Sequence, residues 1–142
     1  MSFRLAAAQY DISFLRNWAD YQSKISRWIQ EARSNGADLL LFPEYFSMEL
    51  ASLFEPAVYQ SLARQLEALQ SLLADFMHLF SSQAQQHGVT LLAGTFPHRH
   101  TDGSYTNRAW LFRPDGSHDF QDKLQMTRFE NLAPGSVGSD DY

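Results

Sequence analysis

The sequence predicts an α/β fold, and three features of the chain support this prediction. Residues 39–42 form a short apolar run without polar alternation, which is typical of a strand covered on both faces. An amphipathic segment separates this run from an earlier strand-like segment, residues 3–12, so the chain opens as strand, helix, strand. A connection of this length predicts two parallel strands joined by a right-handed crossover. Further strand-like runs follow at residues 89–96 and 105–113.

The first helix is predicted from the spacing of its apolar residues, which step by three or four positions along one face. These residues are Trp18, Tyr21, Ile25, Trp28, Ile29 and Ala32. Asn17 is expected to cap the amino end of this helix, and Asn35-Gly36 is a signal for its carboxyl end.

A second helical pattern covers residues 57–87, which is long for one globular helix. We therefore expect a break near Gln70-Ser71, with Ser71 capping the second part, and an end at Gly88. Pro97 is expected to close the following strand. Turns at residues 102–103 and 114–116 are predicted to flank the strand at 105–113, and residues 118–124 are expected to be a fifth strand or the approach to one. Residues 131–142 are predicted to be a loop or a frayed tail.

Composition and charge exclude several functional classes. The formal net charge of −5 gives no reason to expect nucleic acid or an anionic membrane as a partner. No apolar run is long enough to span a bilayer, and no signal-peptide pattern fits the start of the chain, so a cytoplasmic protein is expected. The 142 residues contain no cysteine, which excludes disulfides and cysteine metal ligands among them.

Three charged residues are candidates for chemistry, two of them at predicted strand ends and the third, Glu130, seven residues beyond Lys123. Glu44 follows an apolar strand and lies between aromatic residues, where a carboxylate would lose water, as suits a general base. The alternative is a solvated glutamate that opens a loop. Lys123 could stabilise an oxyanion in a dry site, or it could be a solvated lysine beside Asp122. Glu130 could join them, or it could form a surface ion pair with Arg128.

Signals for a metal or a cofactor are weaker. His98 and His100 lie on the same side of an extended segment, a spacing that can bind a metal, but no third ligand is evident. Asn107 could be a site amide or could form an ordinary edge hydrogen bond. No glycine-rich phosphate loop opens a helix, so we expect no cofactor and no metal.

Four segments in order resemble the nitrilase superfamily, the carbon–nitrogen hydrolases. They read Ala-Ala-Ala-Gln-Tyr-Asp, then Leu-Phe-Pro-Glu, then Leu-Leu-Ala-Gly-Thr-Phe-Pro with Tyr-Thr-Asn-Arg-Ala and a Pro-Asp-Gly turn, and finally Asp-Lys-Leu-Gln-Met-Thr-Arg-Phe-Glu. The resemblance implies a four-layer α-β-β-α sandwich. It also implies that Glu44 is the general base, that Lys123 stabilises the tetrahedral intermediate, and that Glu130 helps to hold the site. Gln125 stands where the family commonly has histidine.

The resemblance further implies a small-molecule amide, nitrile or N-carbamoyl substrate and attack by a cysteine downstream of the lysine. Because this chain has no cysteine, we expect residues 1–142 to be the N-terminal half of such a domain, truncated before the nucleophile and inactive alone. The alternatives are a non-catalytic remnant that acts as a binding or interaction module, and an unrelated flavodoxin-type domain, which would need a phosphate loop.

The half-domain interpretation predicts that one face of the sheet lacks its cover. Leu39 and Leu41 are expected on one face together with Leu91 and Ala93, opposite Leu40, Leu92 and Gly94. An uncovered apolar face drives association, so a homo-oligomer is expected.

Overall fold

The computed structural model describes residues 2–44 and 46–123 and contains a five-stranded sheet in the order β1-β2-β3-β4-β5. The first three strands are parallel, and β4 and β5 are each antiparallel to the strand before. The strands are β1 (Leu5–Ala7), β2 (Leu39–Phe42), β3 (Thr90–Arg99), β4 (Tyr105–Phe112) and β5 (His118–Asp122). The helices are α1 (Trp18–Ser34), a 3₁₀ helix (Phe46–Leu53), α2 (Pro56–Tyr59), α3 (Leu62–Leu69), a short 3₁₀ turn (Gln70–Leu72) and α4 (Leu73–His87).

The strand–helix–strand opening is confirmed. The Asn17 side chain accepts a hydrogen bond from the Asp20 backbone N–H at 2.9 Å, which caps α1, and the helix ends at Asn35 before Gly36. The first strand is much shorter than the predicted residues 3–12. Beyond Ala8 the chain leaves the sheet and binds the helices instead, since the Asp11 carbonyl accepts from Lys24 of α1 and the Ser13 N–H donates to Glu49 of the first 3₁₀ helix.

The core lies between the sheet and helices α1 and α4. Leu40 of β2 pairs in register with Leu91 of β3, and Phe42 pairs with Ala93, so these four side chains share the helix-covered face and are all buried. The predicted grouping of Leu39 and Leu41 with Leu91 and Ala93 is therefore wrong. The register between two parallel strands sets this grouping, and a run that is apolar at every position does not encode it.

The opposite face of the sheet is apolar and only partly covered. It carries Leu39, Leu41, Leu92 and Leu111, which are all half-buried, while Leu5 on β1 is 59% exposed. One face is thus packed on helices, and the other retains accessible leucine side chains.

The helix break and the end of β3 differ in detail from the predictions. The break near Gln70 is confirmed, but Ser71 does not cap α4, since its hydroxyl donates to the Ala68 carbonyl instead. Strand β3 continues through Pro97 to Arg99. Because β2 ends opposite Ala93, no strand needs the missing N–H of Pro97, and its carbonyl accepts from the Gln70 side chain at 2.8 Å.

None of the helices within the described part of the chain combines the length and the apolar character needed to cross a bilayer.

Candidate active site

Glu44 and Lys123 meet at one end of the sheet. Glu44 lies two residues beyond β2 and Lys123 directly follows β5, and the two strands run in the same direction. Lys123 Nζ donates a hydrogen bond to Glu44 Oε1 at 2.8 Å. The predicted convergence of these residues at the carboxyl ends of their strands is confirmed. Glu130 and Gln125 lie outside the described residues, so the predicted approach of Glu130 stays a prediction.

Phe42 and Phe46 do not surround the Glu44 carboxylate as predicted, and the third aromatic residue of that prediction, Tyr45, lies outside the described residues. The rings of Phe42 and Phe46 stack on each other at 5.0 Å and belong to the buried core. The Glu44 side chain is 47% exposed. The two rings therefore fix the turn that carries Glu44, and the carboxylate itself faces solvent and Lys123.

Gly94 allows this turn to lie close to β3. Its φ is +54°, and a Cβ atom there would lie 2.2 Å from the Pro43 carbonyl oxygen and 2.7 Å from Phe46 Cδ1. The register of β3 against β4 shifts at this point, between Leu92 and Thr95. The Ser47 hydroxyl adds a hydrogen bond to the Thr95 carbonyl at 2.7 Å. The close backbone approach at Gly94 and the Ser47 side-chain hydrogen bond thus keep the Glu44 turn against β3.

Lys123 is positioned by the β4–β5 ladder. Its backbone N–H donates to the Asn107 carbonyl at 3.0 Å. Asp122, the residue before Lys123, forms a two-point ion pair with Arg108, with N–O distances of 2.6 and 3.0 Å. The Arg108 guanidinium also lies 3.9 Å from the Phe120 ring centroid. Hydrogen bonds from Arg108 hold the pKa of Asp122 below its usual range. Asp122 is thus the partner of Arg108, and Lys123 is left to pair with Glu44.

Asn107 is a polar residue buried beside Lys123. It is 3% exposed, and neither its Oδ1 nor its Nδ2 has a hydrogen-bond partner in the part of the chain that the structure describes. Asn107 and Lys123 are opposite each other in the β4–β5 ladder, so both side chains lie on the same face of the sheet.

A buried charge cluster supports the helix that follows Glu44, and the sequence did not predict it. Lys24 Nζ lies 2.5 Å from Glu49 Oε2, whose carboxylate also accepts from the Tyr10 hydroxyl at 2.5 Å and from the Ser13 N–H at 2.7 Å. Burial, and secondarily the bond to Glu49, raises the pKa of Tyr10, which keeps the hydroxyl a donor. The available signal was Lys24 itself, because it interrupts the apolar stripe of α1 between Tyr21 and Trp28.

His98 and His100 lie side by side, with ring centroids 5.2 Å apart. His100 Nε2 lies 2.7 Å from the Thr106 hydroxyl. Among the described residues, no group of three or more histidine, aspartate or glutamate side chains is arranged to hold a metal ion. Burial lowers the pKa of His98, as does the nearby Arg108 charge.

Comparison with known proteins assigns this chain to a family. The family model described as "Carbon-nitrogen hydrolase" matches residues 4–140. The curated "Probable hydrolase YhcX" of Bacillus subtilis (strain 168) is 25% identical over 124 residues, which is 87% of this chain and 23% of that protein.

Solved structures share the fold. A carbon-nitrogen hydrolase from Helicobacter pylori G27 superposes with a TM-score of 0.69 at 18% identity, over 95% of this chain and 44% of that one. An amidase from Nesterenkonia sp. AN1, described with acrylamide added at its active-site cysteine, superposes at 0.63 with 19% identity, over 98% of this chain and 50% of that one. The chain thus spans half or less of the length of these relatives. It belongs to the carbon-nitrogen hydrolase family.

Proposed function

We propose that residues 1–142 are the N-terminal portion of a carbon–nitrogen hydrolase domain and supply the glutamate and lysine of its active site. The observation that carries this proposal is the 2.8 Å contact between Lys123 Nζ and Glu44 Oε1, formed by residues 79 positions apart. The family match and the amidase among the structural neighbours support it. The substrate class is a small-molecule amide, nitrile or N-carbamoyl compound.

In the proposed reaction, Glu44 is the general base and Lys123 stabilises negative charge. Glu44 takes the proton of a cysteine thiol, and the thiolate attacks the carbonyl carbon of an amide. The carbonyl electrons move to oxygen, where the Lys123 ammonium faces the oxyanion. The C–N bond then breaks as the amine leaves with the proton from Glu44. Water attacks the thioester with Glu44 again as base, which releases the carboxylic acid and restores the thiol. Glu130 is proposed to hold the site together.

The cysteine must come from sequence outside these 142 residues, since they contain none. The purified 142-residue chain is therefore expected to hydrolyse no member of a panel of short amides, nitriles and N-carbamoyl compounds. Hydrolysis by this chain that is lost in Glu44→Gln would contradict the thiol mechanism, because the nucleophile would then have to be another group.

In the deciding experiment, the DNA beyond the codon for Tyr142 is sequenced, and the longest open reading frame that contains this codon is expressed. In a longer protein with a cysteine, Lys123→Ala should lower kcat by about 10²–10³, the range for a lost oxyanion donor. Glu44→Gln should abolish turnover. Glu67→Gln and Arg64→Ala, at exposed positions of α3, are the matched controls and should leave the rate unchanged. Full activity in Glu44→Gln or Lys123→Ala would refute the assigned roles.

The absence of cysteine favours one alternative, in which the chain is a non-catalytic remnant that acts as a binding or interaction module. A stop codon directly after Tyr142 in the native gene, together with an inactive 142-residue chain, would support this alternative over the hydrolase.

A further inference from the structure

Strand β5, which carries Lys123 at its end, has little apolar packing. Its residues 118–121 are exposed, and its largest apolar side chain, Phe120, is 54% exposed. Within the described part of the chain, β5 is the last strand in the sheet order and pairs with β4. Segments with few buried apolar contacts open readily, above all at their ends. The position of Lys123 therefore depends on the groups that hold the end of β5 on β4.

A two-point ion pair holds that end. Arg108 and Asp122 are opposite each other in the β4–β5 ladder, and Arg108 Nε and Nη2 donate to the two carboxylate oxygens at 2.6 and 3.0 Å. At the next pair along the ladder, the Lys123 N–H donates to the Asn107 carbonyl. Hydrogen-bonded and non-hydrogen-bonded pairs alternate in an antiparallel ladder, so Arg108 and Asp122 form a non-hydrogen-bonded pair. The connection between the two strands at this pair is made by the side chains.

The surroundings of Arg108 distinguish this pair from an ordinary surface ion pair. The Arg108 side chain is 11% exposed, and its guanidinium lies near the Phe120 ring and 5.6 Å from the Trp110 ring centroid. Two parallel charge-assisted hydrogen bonds also fix the direction of the carboxylate. A second ion pair, between Arg113 and Asp119, lies at the other end of β5, where the two side chains are 39% and 67% exposed.

We infer that Arg108 and Asp122 are positioning residues that act on the proposed reaction through Lys123. Consecutive residues of a strand point to opposite faces of the sheet, so the Arg108–Asp122 pair lies on the face away from the Lys123 side chain. The pair holds the Lys123 backbone in place, and thereby holds the ammonium beside Glu44. This inference rests on the proposed function, in which Lys123 stabilises the oxyanion.

The loss of this pair should change kcat. Lys123 is proposed to act on negative charge that develops in the transition state, so its displacement removes an interaction made there and leaves substrate binding as it was. A misplacement of about 1 Å that originates away from the reacting atoms can lower a rate by about 10²-fold.

The first test uses the longer protein with its cysteine. Arg108→Lys keeps the charge but loses the planar fork that binds both carboxylate oxygens, and it should lower kcat by about 10- to 100-fold with KM unchanged. Arg113→Lys is the matched control, because it makes the same change in the ion pair at the other end of β5. It should leave kcat unchanged.

A double variant separates positioning from a general structural role. In the Lys123→Ala background, Arg108→Lys should cause no further loss of kcat, because the lysine through which it acts is absent. A residue that only stabilises the fold would lower kcat by the same factor in both backgrounds. All rates are measured below the lowest Tm of the set.

The second test needs no activity and uses the 142-residue chain. Acetylation of each lysine is followed by mass spectrometry, with the buried Lys24 as the internal reference. Arg108→Lys and Asp122→Asn should each raise the relative rate at Lys123 by about two- to fivefold, the factor that corresponds to the loss of an exposed ion pair. Arg113→Lys should leave that rate unchanged.

Several results would overturn the inference. They are an unchanged kcat in Arg108→Lys, an equal loss in Arg113→Lys, an equal loss in the Lys123→Ala background, and an unchanged acetylation rate at Lys123 in Arg108→Lys and Asp122→Asn. None of these affects the proposed function, which fails separately if hydrolysis by the longer protein survives Glu44→Gln and Lys123→Ala.

Discussion

Replacement of Gly94 by alanine should displace the turn that carries Glu44. A Cβ atom at this position would lie 2.2 Å from the Pro43 carbonyl oxygen and 2.7 Å from the Phe46 ring. The ring cannot move aside because Phe46 is fully buried against Phe42, Phe76 and Phe80. The backbone must therefore move.

The expected cost of Gly94→Ala has two parts. A non-glycine residue in the left-handed region costs about 1–2 kcal/mol. Overpacking a dense core adds about 1–3 kcal/mol. Gly88→Ala separates the two parts, because Gly88 has a similar φ of +62° and nothing lies within 4 Å of its added Cβ. The control should lose only the first amount, and Gly94→Ala should lose both.

The assay is urea unfolding followed by tryptophan fluorescence, with modification of Lys123 by an amine reagent as a second readout. The chain has two lysines, and Lys24 is buried, so it serves as an internal reference. In Gly94→Ala, Lys123 should react faster because Glu44 has moved away. Equal stability losses in Gly94→Ala and Gly88→Ala, with unchanged reactivity of Lys123, would refute this account of the turn.

Three further predictions concern the rest of the chain. The half-buried leucine face of the sheet should make the isolated chain self-associate and bind hydrophobic dye; sedimentation as a cooperatively melting monomer without dye binding would show that the chain closes its own core. Because burial lowers the folded-state pKa of His98, stability should be complete above the unfolded value of about 6.5 and should fall as pH decreases below it. The stability–pH slope in that window should decrease in His98→Gln, and an unchanged slope would assign it to other groups. Lys24→Met should cost about 3–5 kcal/mol by leaving the Glu49 carboxylate buried without its cation. The double variant with Glu49→Leu should recover part of that loss in urea unfolding, and two independent additive losses would contradict the pairing.

The strand ends that carry Glu44 and Lys123 could be predicted from the sequence. An apolar run that stops at proline placed Glu44 at the carboxyl end of β2, and the turn at residues 114–116 placed Lys123 after β5. The faces of the sheet could not be predicted in the same way. Leu39 to Phe42 is apolar at every position, so only the pairing with β3 decides which side chains reach the helices.

Features that depend on residues far apart in the sequence could not be predicted either. Pro97 was expected to end β3, but a proline ends a strand only where a neighbouring strand needs its N–H, and β2 has already ended there. The Lys24–Glu49 pair joins α1 to the 3₁₀ helix after Glu44, and its partners lie 25 positions apart. The residues next to Lys24 and Glu49 in the sequence do not indicate that these two side chains form a pair.

The distance between Glu44 and Lys123 is set by the scaffold rather than by their own ion pair. Glu44 is held on β3 through the close approach of its turn to Gly94, and Lys123 is held on β4 by its backbone hydrogen bond to Asn107. Strands β3 and β4 are joined by a long antiparallel ladder, so the two anchors form one continuous support. The exposed ion pair itself contributes only about 0–1 kcal/mol. The scaffold therefore keeps Glu44 and Lys123 near each other even when their ion pair opens.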